Sequence, residues 1–333
     1  MQIIIDKADL HLEKQGRTLV IRESATLADK VPVKYIESLI IHSNVTLETG
    51  LLRLLAEQGV PTVILPARGK GPGINLSPGS HHFASIRAAQ HRAIANPDHK
   101  LAVAKQIVDH KCAAYLAAAH RLKQWGDGNA FEKAERALQR TLTDIPAAAD
   151  TATLMGHEGA AAAAWFNAYK TLFAPEWGFS QRNRRPPQDP VNALLSLTYT
   201  IVAQPVRRAL LATGYDVYFG FLHEPVSGRE ALTLDAIELQ RPAVDCLIAG
   251  WLRQALFTPE DFVDSATDGC RLTKEARGKY YALWADAEKH WVALRANHQK
   301  QATTSTAAAC RWCSQWLREQ ITTVNSGEPE HAD

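Results

Sequence analysis

The chain has 333 residues, of which 46% are hydrophobic and 22% are charged, and its formal net charge is +2. Such a chain can bury a sizeable core, and its length predicts about two domains. The small net charge excludes a field of one sign over the whole surface that would steer a polyanion. The sequence shows no signal peptide and no apolar run of about 18 residues, so we expect a cytoplasmic protein with no membrane partner.

Residues 1–78 predict a small β-rich domain. The segments LHLEK at 10–14 and TLVIR at 18–22 alternate in polarity on either side of a Gln-Gly-Arg turn, which is typical of a β-hairpin. One helix is predicted at 48–58, where four leucines precede a glycine. Gly, Pro and Ser then become frequent, and we place a linker at 79–84.

Residues 85–320 predict a larger all-α C-terminal domain, in which Ala-rich and Leu-rich stretches are separated by Pro, Gly and Asn. The last two helices are predicted at 274–299 and 304–320. The polar, acidic segment 321–333 predicts a disordered tail. The fold class is therefore expected to be α+β multidomain, with the small β-rich domain first.

Acidic N-caps mark two helix starts in the C-terminal domain. Asp150 is expected to cap the helix that carries Glu158, and Asp189 followed by Pro190 begins another helix. Pro205 lies inside that second helix, and we expect it to kink or divide the helix.

Asp235 and Glu238 are three residues apart in ALTLDAIELQ, so on a helix they share one face. Like charges at this spacing repel each other. Solvent can screen the pair, Arg241 can neutralise Glu238, or a metal ion can neutralise both carboxylates. The pair taken alone favours an exposed acidic face.

The surroundings of this pair favour a metal site. His223 lies in the short turn GFLHEP directly before the acidic helix, and Glu158 lies in MGHEG on another helix. One imidazole with two or three acidic oxygens suits a divalent cation, Mn²⁺ or Mg²⁺, and the imidazole favours Mn²⁺. An acceptor on the other ring nitrogen would fix the tautomer of His223. Such a cation usually serves phosphate chemistry.

Two further motifs are weaker candidates. CRWC at 310–313 has two thiols at a zinc spacing but no second pair nearby, so buried helical cysteines are the better interpretation. The Gly-rich stretch at 69–80 lacks the Gly-Lys-Ser/Thr ending of a phosphate loop. The five cysteines are scattered and odd in number, which indicates free thiols.

Basic residues are concentrated at 79–127, where seven Lys or Arg outnumber three acids and give a local charge of +4. More arginines lie at both ends of the helix that begins after Asp189. These clusters are either solvated helix faces or a surface for DNA phosphates. The candidate DNA-binding residues are Arg87, Lys111, Arg182, Arg184, Arg185, Arg207 and Arg208.

In this order the motifs resemble the CRISPR-associated endonuclease/integrase family of spacer acquisition, the Cas-one family. The resemblance rests on MGHEG, on RNRRPPQDPVNALLSLTYT at 182–200, on GFLHEP and on LTLDAIELQRPAVD, and it extends over about residues 1–290. It implies the same two-domain fold. It also implies a homodimer formed largely through the 1–78 domain and a metal-binding catalytic domain at 85–320.

The resemblance further implies roles for four residues. Glu158, His223 and Glu238 correspond to the family's metal ligands, and Asp235 is the acidic residue beside them; all four are expected to be catalytic. The family places either Asp or Glu at the third position, so the direct ligand is either Asp235 or Glu238. The RNRR run and the basic residues of 79–127 would hold the DNA backbone.

The implied function is the insertion of short DNA fragments, spacers, into a CRISPR array by metal-assisted attack of a 3′-hydroxyl on a phosphodiester. Double-stranded DNA and a small CRISPR-associated partner subunit of the adaptation complex are the implied partners. Two alternatives stay open: a metal-dependent nuclease or transposase-like enzyme on branched DNA outside CRISPR, and a catalytically inactive DNA-binding scaffold of the same fold. The presence of all four residues argues against the scaffold.

Overall fold

The computed structural model describes residues 2–24, 26–36, 38–60, 62–65, 74–76, 84–183, 186–265, 269–292 and 303–326. The chain divides into two compact units, Met1–Phe83 and Ala84–Asp333. This division falls within the predicted linker at 79–84. Most of that linker, and the last part of the predicted tail, lie outside the described residues.

The described part of the N-terminal unit is rich in strands, as predicted. The strands are β1 (Gln2–Ile5), β2 (Leu10–Gln15), β3 (Thr18–Glu23), β4 (Thr26–Pro32), β5 (Ser38–Ile41), β6 (Thr46–Leu47), β7 (Thr62–Ile64) and β8 (Ile74–Leu76). They form two sheets with the orders β4-β3-β2-β6 and β1-β5-β7-β8. Strand β4 was not predicted, because nearly all of its side chains are exposed and show no alternation.

The predicted hairpin and helix of this unit are confirmed. Strands β2 and β3 are antiparallel with Gln15 opposite Thr18, and Gly16 in the turn has a φ of 62°. Strands β5 and β7 are parallel, which requires a crossover between them. Helix α1 (Thr49–Glu57) lies on that crossover, and its apolar face buries Leu51, Leu54 and Leu55.

The described part of the C-terminal unit is mostly helical, as predicted. Its helices are α2 (Ala84–Ala95), α3 (Pro97–Leu122), α4 (Gly128–Asp144), α5 (Thr151–Tyr169), α6 (Pro190–Thr213), α7 (Ala231–Glu238), α8 (Arg241–Arg253), α9 (Lys274–Ala287) and α10 (Thr306–Ser326). The prediction of an all-α domain needs one correction, because two antiparallel strand pairs are also present. These pairs are β9 (Phe262–Ser265) with β10 (Gly269–Leu272) and β11 (Trp291–Val292) with β12 (Thr303–Thr304).

Two predicted helix ends are corrected by packing. The helix predicted at 274–299 ends at Ala287, and Trp291 instead belongs to a strand and is buried against Trp284. Helix α10 continues to Ser326, beyond the predicted end at 320, because Ile321 is buried in the core. In both cases contacts distant in sequence decide the local structure.

Helices α5 and α6 begin where their predicted N-caps indicated. Asp150 Oδ1 accepts a hydrogen bond of 2.7 Å from the Thr153 amide, so α5 begins about two turns before Glu158. Asp189 caps α6 in the same way. Pro205 does not divide α6, because the helix continues to Thr213 with buried residues on both sides of the proline. Among the described helices, none combines the length and apolar character needed to cross a bilayer.

Candidate functional site

The structure brings Glu158 and Glu238 to one point in the C-terminal unit. Glu158 lies on α5 and Glu238 on α7, and both carboxylates form ion pairs with Lys111 Nζ of α3. The contact with Glu238 Oε2 measures 2.5 Å. These three side chains come from helices far apart in sequence, so only the folded helix packing assembles them.

The site has a buried floor and an accessible rim. The side chains of Lys111 and Glu238 are 8% and 4% exposed, whereas those of Glu158 and His223 are 20% and 21% exposed. A ligand from solvent can therefore reach Glu158 and His223 directly, with the charges of Lys111 and Glu238 below them.

Two cations hold Glu238 ionised. Arg241 Nε donates to Glu238 Oε1 at 2.7 Å, and Lys111 contacts the other oxygen. Burial disfavours the charged carboxylate, but Arg241 and Lys111 outweigh burial and hold the pKa of Glu238 well below its usual value. His223 is also close enough for its charge to act on Glu238. Apart from this ion pair with Lys111, Oε2 has no hydrogen-bond partner among the described residues.

Asp235 holds the His223 loop in place. One of its oxygens accepts from the amides of Phe221 and Leu222 at 2.5 and 3.0 Å, and the other from the amide of His223 at 2.9 Å. The second oxygen also lies 2.7 Å from His223 Nδ1. A neutral His223 that donates from Nδ1 keeps the lone pair of Nε2 for a ligand.

Gly220 allows this close approach of loop and carboxylate. A Cβ at position 220 would lie 2.6 Å from Asp235 Oδ2 and 2.9 Å from the backbone of both Ala231 and His223. These distances are shorter than a carbon contact permits, so only glycine fits without movement of the loop.

The geometry distinguishes the two acidic residues that the sequence left equivalent. Asp235 is completely buried, and both of its oxygens are occupied by the loop and by His223. Glu238 Oε2 instead contacts the Lys111 ammonium, on which Glu158 also converges. Of the pair, Glu238 thus shares a cation with Glu158, whereas Asp235 contacts the His223 loop and the imidazole.

The donor set fits a divalent cation. Two carboxylates and an imidazole are oxygen and nitrogen donors suited to Mn²⁺ or Mg²⁺, and Glu238 Oε2 is a buried acceptor whose partner among the described residues is the Lys111 ammonium. Within the described ranges, however, no three His, Cys, Asp or Glu side chains stand ready to hold a metal. The ammonium of Lys111 lies between the two glutamates and contacts one oxygen of each.

A network of buried side chains supports Arg241. The guanidinium of Arg241 lies 4.5 Å from the ring centre of Tyr199, whose hydroxyl donates to Asp245 on α8. Asp245 also accepts from Trp165 at 2.8 Å and from Tyr115 at 3.1 Å. Burial raises the pKa of Asp245 despite these hydrogen bonds. Asp245 was not predicted as a site residue, although an acid within the apolar run PAVDCLIAGWL was a usable signal.

The predicted DNA-binding residues have different surroundings. Lys111 and Arg207 are buried in ion pairs, Lys111 with the two glutamates and Arg207 with Glu230 at 2.7 Å, and their contact with phosphate stays a prediction. Arg182 is half-buried and bonds Asn192 at 2.6 Å. Arg87 donates to the Gly214 carbonyl at 3.1 Å.

Three other predictions concern Arg208, the arginines at 184 and 185, and the cysteines. Arg208 on α6 is half-buried, and its charge acts on Cys310. Arg184 and Arg185 lie outside the described residues. The five cysteines are free thiols as expected, and Cys310 and Cys313 of the CRWC motif are buried on α10.

Comparison with known proteins places these observations in a family. The family model for the CRISPR associated protein Cas1 matches residues 3–286, a range that contains all the site residues. The chain is 36% identical over 282 residues to the CRISPR-associated endonuclease Cas1 3 of Thermus thermophilus. That match spans 83% of this chain and 81% of the relative.

Solved structures share the fold at 20% sequence identity. A casposase bound to integration product has a TM-score of 0.78 and is matched over 100% of this chain and 92% of its own. A Cas1 protein from Thermotoga maritima has a TM-score of 0.77, with 97% of each chain covered. A chain of a Cas6-RT-Cas1–Cas2 complex has a TM-score of 0.75 over 98% of this chain and 35% of its own.

Proposed function

Since the chain belongs to the CRISPR-associated Cas1 family, we propose that it is a metal-dependent DNA endonuclease and integrase that inserts short DNA fragments into a CRISPR array. A relative at 36% identity is named an endonuclease, which supports the nuclease activity. The fold shared with a casposase bound to integration product agrees with DNA joining.

The observation that carries the proposal is the convergence of Glu158 and Glu238 on one cation beside His223. Two carboxylates that meet at an accessible edge of the fold need a positive partner. Transfer of a phosphodiester from one alcohol to another also needs a positive charge, which stabilises the phosphoryl oxygens.

We assign Glu158, Glu238 Oε2 and His223 Nε2 as the donors that would hold Mn²⁺ or Mg²⁺. When bound, such an ion lowers the pKa of an attacking hydroxyl and stabilises charge on the phosphoryl oxygens. The chain's own residues position these donors: Asp235 fixes His223 through Nδ1, and Arg241 fixes Glu238 through Oε1. The proposed joining reaction needs no covalent protein nucleophile.

The proposed partners are double-stranded DNA, a second copy of the chain and a Cas2 subunit. Solved structures with this fold include a casposase bound to integration product and a chain of a Cas6-RT-Cas1–Cas2 complex. For this chain, the shared fold supports DNA and a Cas2 subunit as partners. Dimerisation through the N-terminal unit rests on the family resemblance alone.

An integration assay tests the function. The wild-type protein should join a short DNA with free 3′-hydroxyls to a supercoiled plasmid that carries a CRISPR repeat, in Mn²⁺ and with the Cas2 partner added or omitted. Glu158→Ala and His223→Ala should abolish joining but bind DNA within a few-fold of wild type, since a metal donor acts in the chemistry rather than in docking. Glu224→Ala is the matched control, because Glu224 is adjacent to His223 but pairs with Lys100. Full activity in either donor variant would end the metal proposal.

A transposase-like enzyme that acts outside CRISPR arrays is the second candidate, favoured by the casposase fold. The same assay separates the two functions when a plasmid without the repeat is included. Equal insertion into both plasmids would favour the transposase-like function. DNA binding without joining under all conditions would identify an inactive scaffold.

A further inference from the structure

We propose that Lys111 is an internal counter-ion that occupies the cation position of the metal-free site and must leave it when a divalent ion binds. The inference deepens the proposed function and rests on its assignment of Glu158 and Glu238 as metal donors. It replaces the prediction that Lys111 contacts DNA.

Geometry supports the exchange. Lys111 Nζ contacts Glu158 Oε1 and Glu238 Oε2, the two oxygens assigned to the ion. An ammonium in contact with both oxygens fills the space between them. A divalent ion at the same two oxygens would lie within a few ångströms of the ammonium, where repulsion is strong because little water separates the charges.

The surroundings of Lys111 favour a permanent charge at this place. Burial disfavours the ammonium, but Glu238 and Glu158 outweigh burial and raise the pKa of Lys111 above its usual value. The side chain is almost fully enclosed, so it has no solvent-exposed surface with which to track a DNA backbone. Its charge is therefore directed at the two glutamates.

The second cation of the site does not compete in the same way. Arg241 bonds Glu238 through Oε1 and lies over Tyr199, so it can stay in place while Oε2 changes partner. Lys111 has a flexible four-carbon stem and can withdraw, whereas the planar guanidinium of Arg241 is fixed by two contacts. The structure thus pairs one fixed cation with one exchangeable cation.

Charge removal at Lys111 tests the inference without any activity measurement. Mn²⁺ binding is measured by calorimetry on the full chain for wild type, Lys111→Met and Lys111→Arg. Lys111→Met should bind Mn²⁺ at least about tenfold more tightly than wild type, because no positive charge competes for the oxygens. Lys111→Arg should not bind more tightly. Lys105→Met is the control on the same helix, since Lys105 bonds the Pro146 carbonyl and should leave the affinity unchanged.

Thermal unfolding provides an independent readout. Without metal, Lys111→Met should unfold at a lower temperature than wild type, because two converging carboxylates lose their counter-ion. Mn²⁺ should then raise its unfolding temperature by more than it raises that of wild type. A purely structural lysine predicts the first effect without the second.

Wild-type crystals with and without Mn²⁺ keep the inference testable if Lys111→Met does not fold. In the metal-loaded crystal the Lys111 ammonium should have left the contact with both glutamates. An ammonium still in contact with both, or unchanged Mn²⁺ affinity in a folded Lys111→Met, would overturn the inference. Failure of the wild type to bind Mn²⁺, or binding that survives Glu158→Ala, would instead overturn the metal assignment of the proposed function.

Discussion

His223 Nδ1 and Asp235 Oδ1 are 2.7 Å apart, and the same carboxylate accepts hydrogen bonds from three backbone amides of the loop that carries the histidine. One buried acid therefore fixes both the path of the loop and the orientation of the imidazole. Its role differs from that of Glu238, which is three residues further along α7 and contacts two cations.

This difference predicts distinct effects for two conservative variants. Asp235→Asn places an amide donor among three backbone amides that can only donate, so it should destabilise the metal-free protein by about 2 kcal/mol. Glu238→Gln should remove the stabilisation that Mn²⁺ confers, because it weakens a proposed donor. Thermal unfolding of each variant, with and without Mn²⁺, measures both effects. If Asp235→Asn instead removed the stabilisation by Mn²⁺, and Glu238→Gln did not, Asp235 would be the direct ligand.

DNA affinity should depend steeply on salt, even though the net charge is only +2. Each phosphate neutralised by the protein contributes a slope of about −0.9 to a plot of log affinity against log salt. Arg92→Ala should reduce this slope by about one unit, because Arg92 is exposed on α2 within the basic segment. Arg207→Met should leave the slope unchanged but lower stability, since Arg207 is buried with Glu230. A flat salt response of the wild type would contradict a phosphate-binding surface.

The Asp245 network should be important for stability. Asp245→Ala removes the acceptor of three buried donors, so the free energy of unfolding should fall by about 3 kcal/mol or more. Tyr169→Phe is a milder comparison, because its hydroxyl donates only to the Asp245 backbone carbonyl, and about 1 kcal/mol is expected. Urea titrations measure both. Equal decreases in the free energy of unfolding for the two variants would show that the Asp245 side chain contributes no more to stability than the single hydrogen bond to its backbone carbonyl.

Thiol reactivity should depend strongly on pH. Burial raises the pKa of Cys112, Cys246 and Cys270 to about 12 each, so only about one thiol in 10⁴ is ionised at pH 8. Because the thiolate is the reactive form and increases with pH, alkylation of the native protein should rise about tenfold per pH unit between pH 7 and pH 9. A rate that levels off near pH 9 would indicate a thiol of ordinary pKa.

Local patterns predicted much of the fold. Alternation at 10–22 gave the hairpin, and the acidic caps Asp150 and Asp189 marked the starts of α5 and α6. These features depend on neighbours within a few residues. Strand β11 was predicted as helix, because its partner β12 lies beyond the reach of a local pattern and Trp291 is held by packing on Trp284.

The site was predictable in its residue types but not in its connections. The family resemblance, confirmed by the match over 3–286, pointed to Glu158, His223 and an acidic pair on α7. The sequence alone could not tell Asp235 from Glu238, because both lie on one short helix and only the loop amides and Lys111 distinguish them. It also assigned Lys111 to DNA, since composition does not show that a lysine is enclosed.

The guanidinium of Arg241 lies over the ring of Tyr199, and the Tyr199 hydroxyl donates a hydrogen bond to Asp245, so the proposed reaction centre is connected to the aromatic interior of the helical unit. We therefore expect the centre to loosen on heating together with the surrounding helices. DNA joining and the near-ultraviolet circular dichroism of the aromatic side chains, the enclosed Trp165 among them, should be lost over one common temperature interval, with no cooler range in which a folded protein has already become inactive.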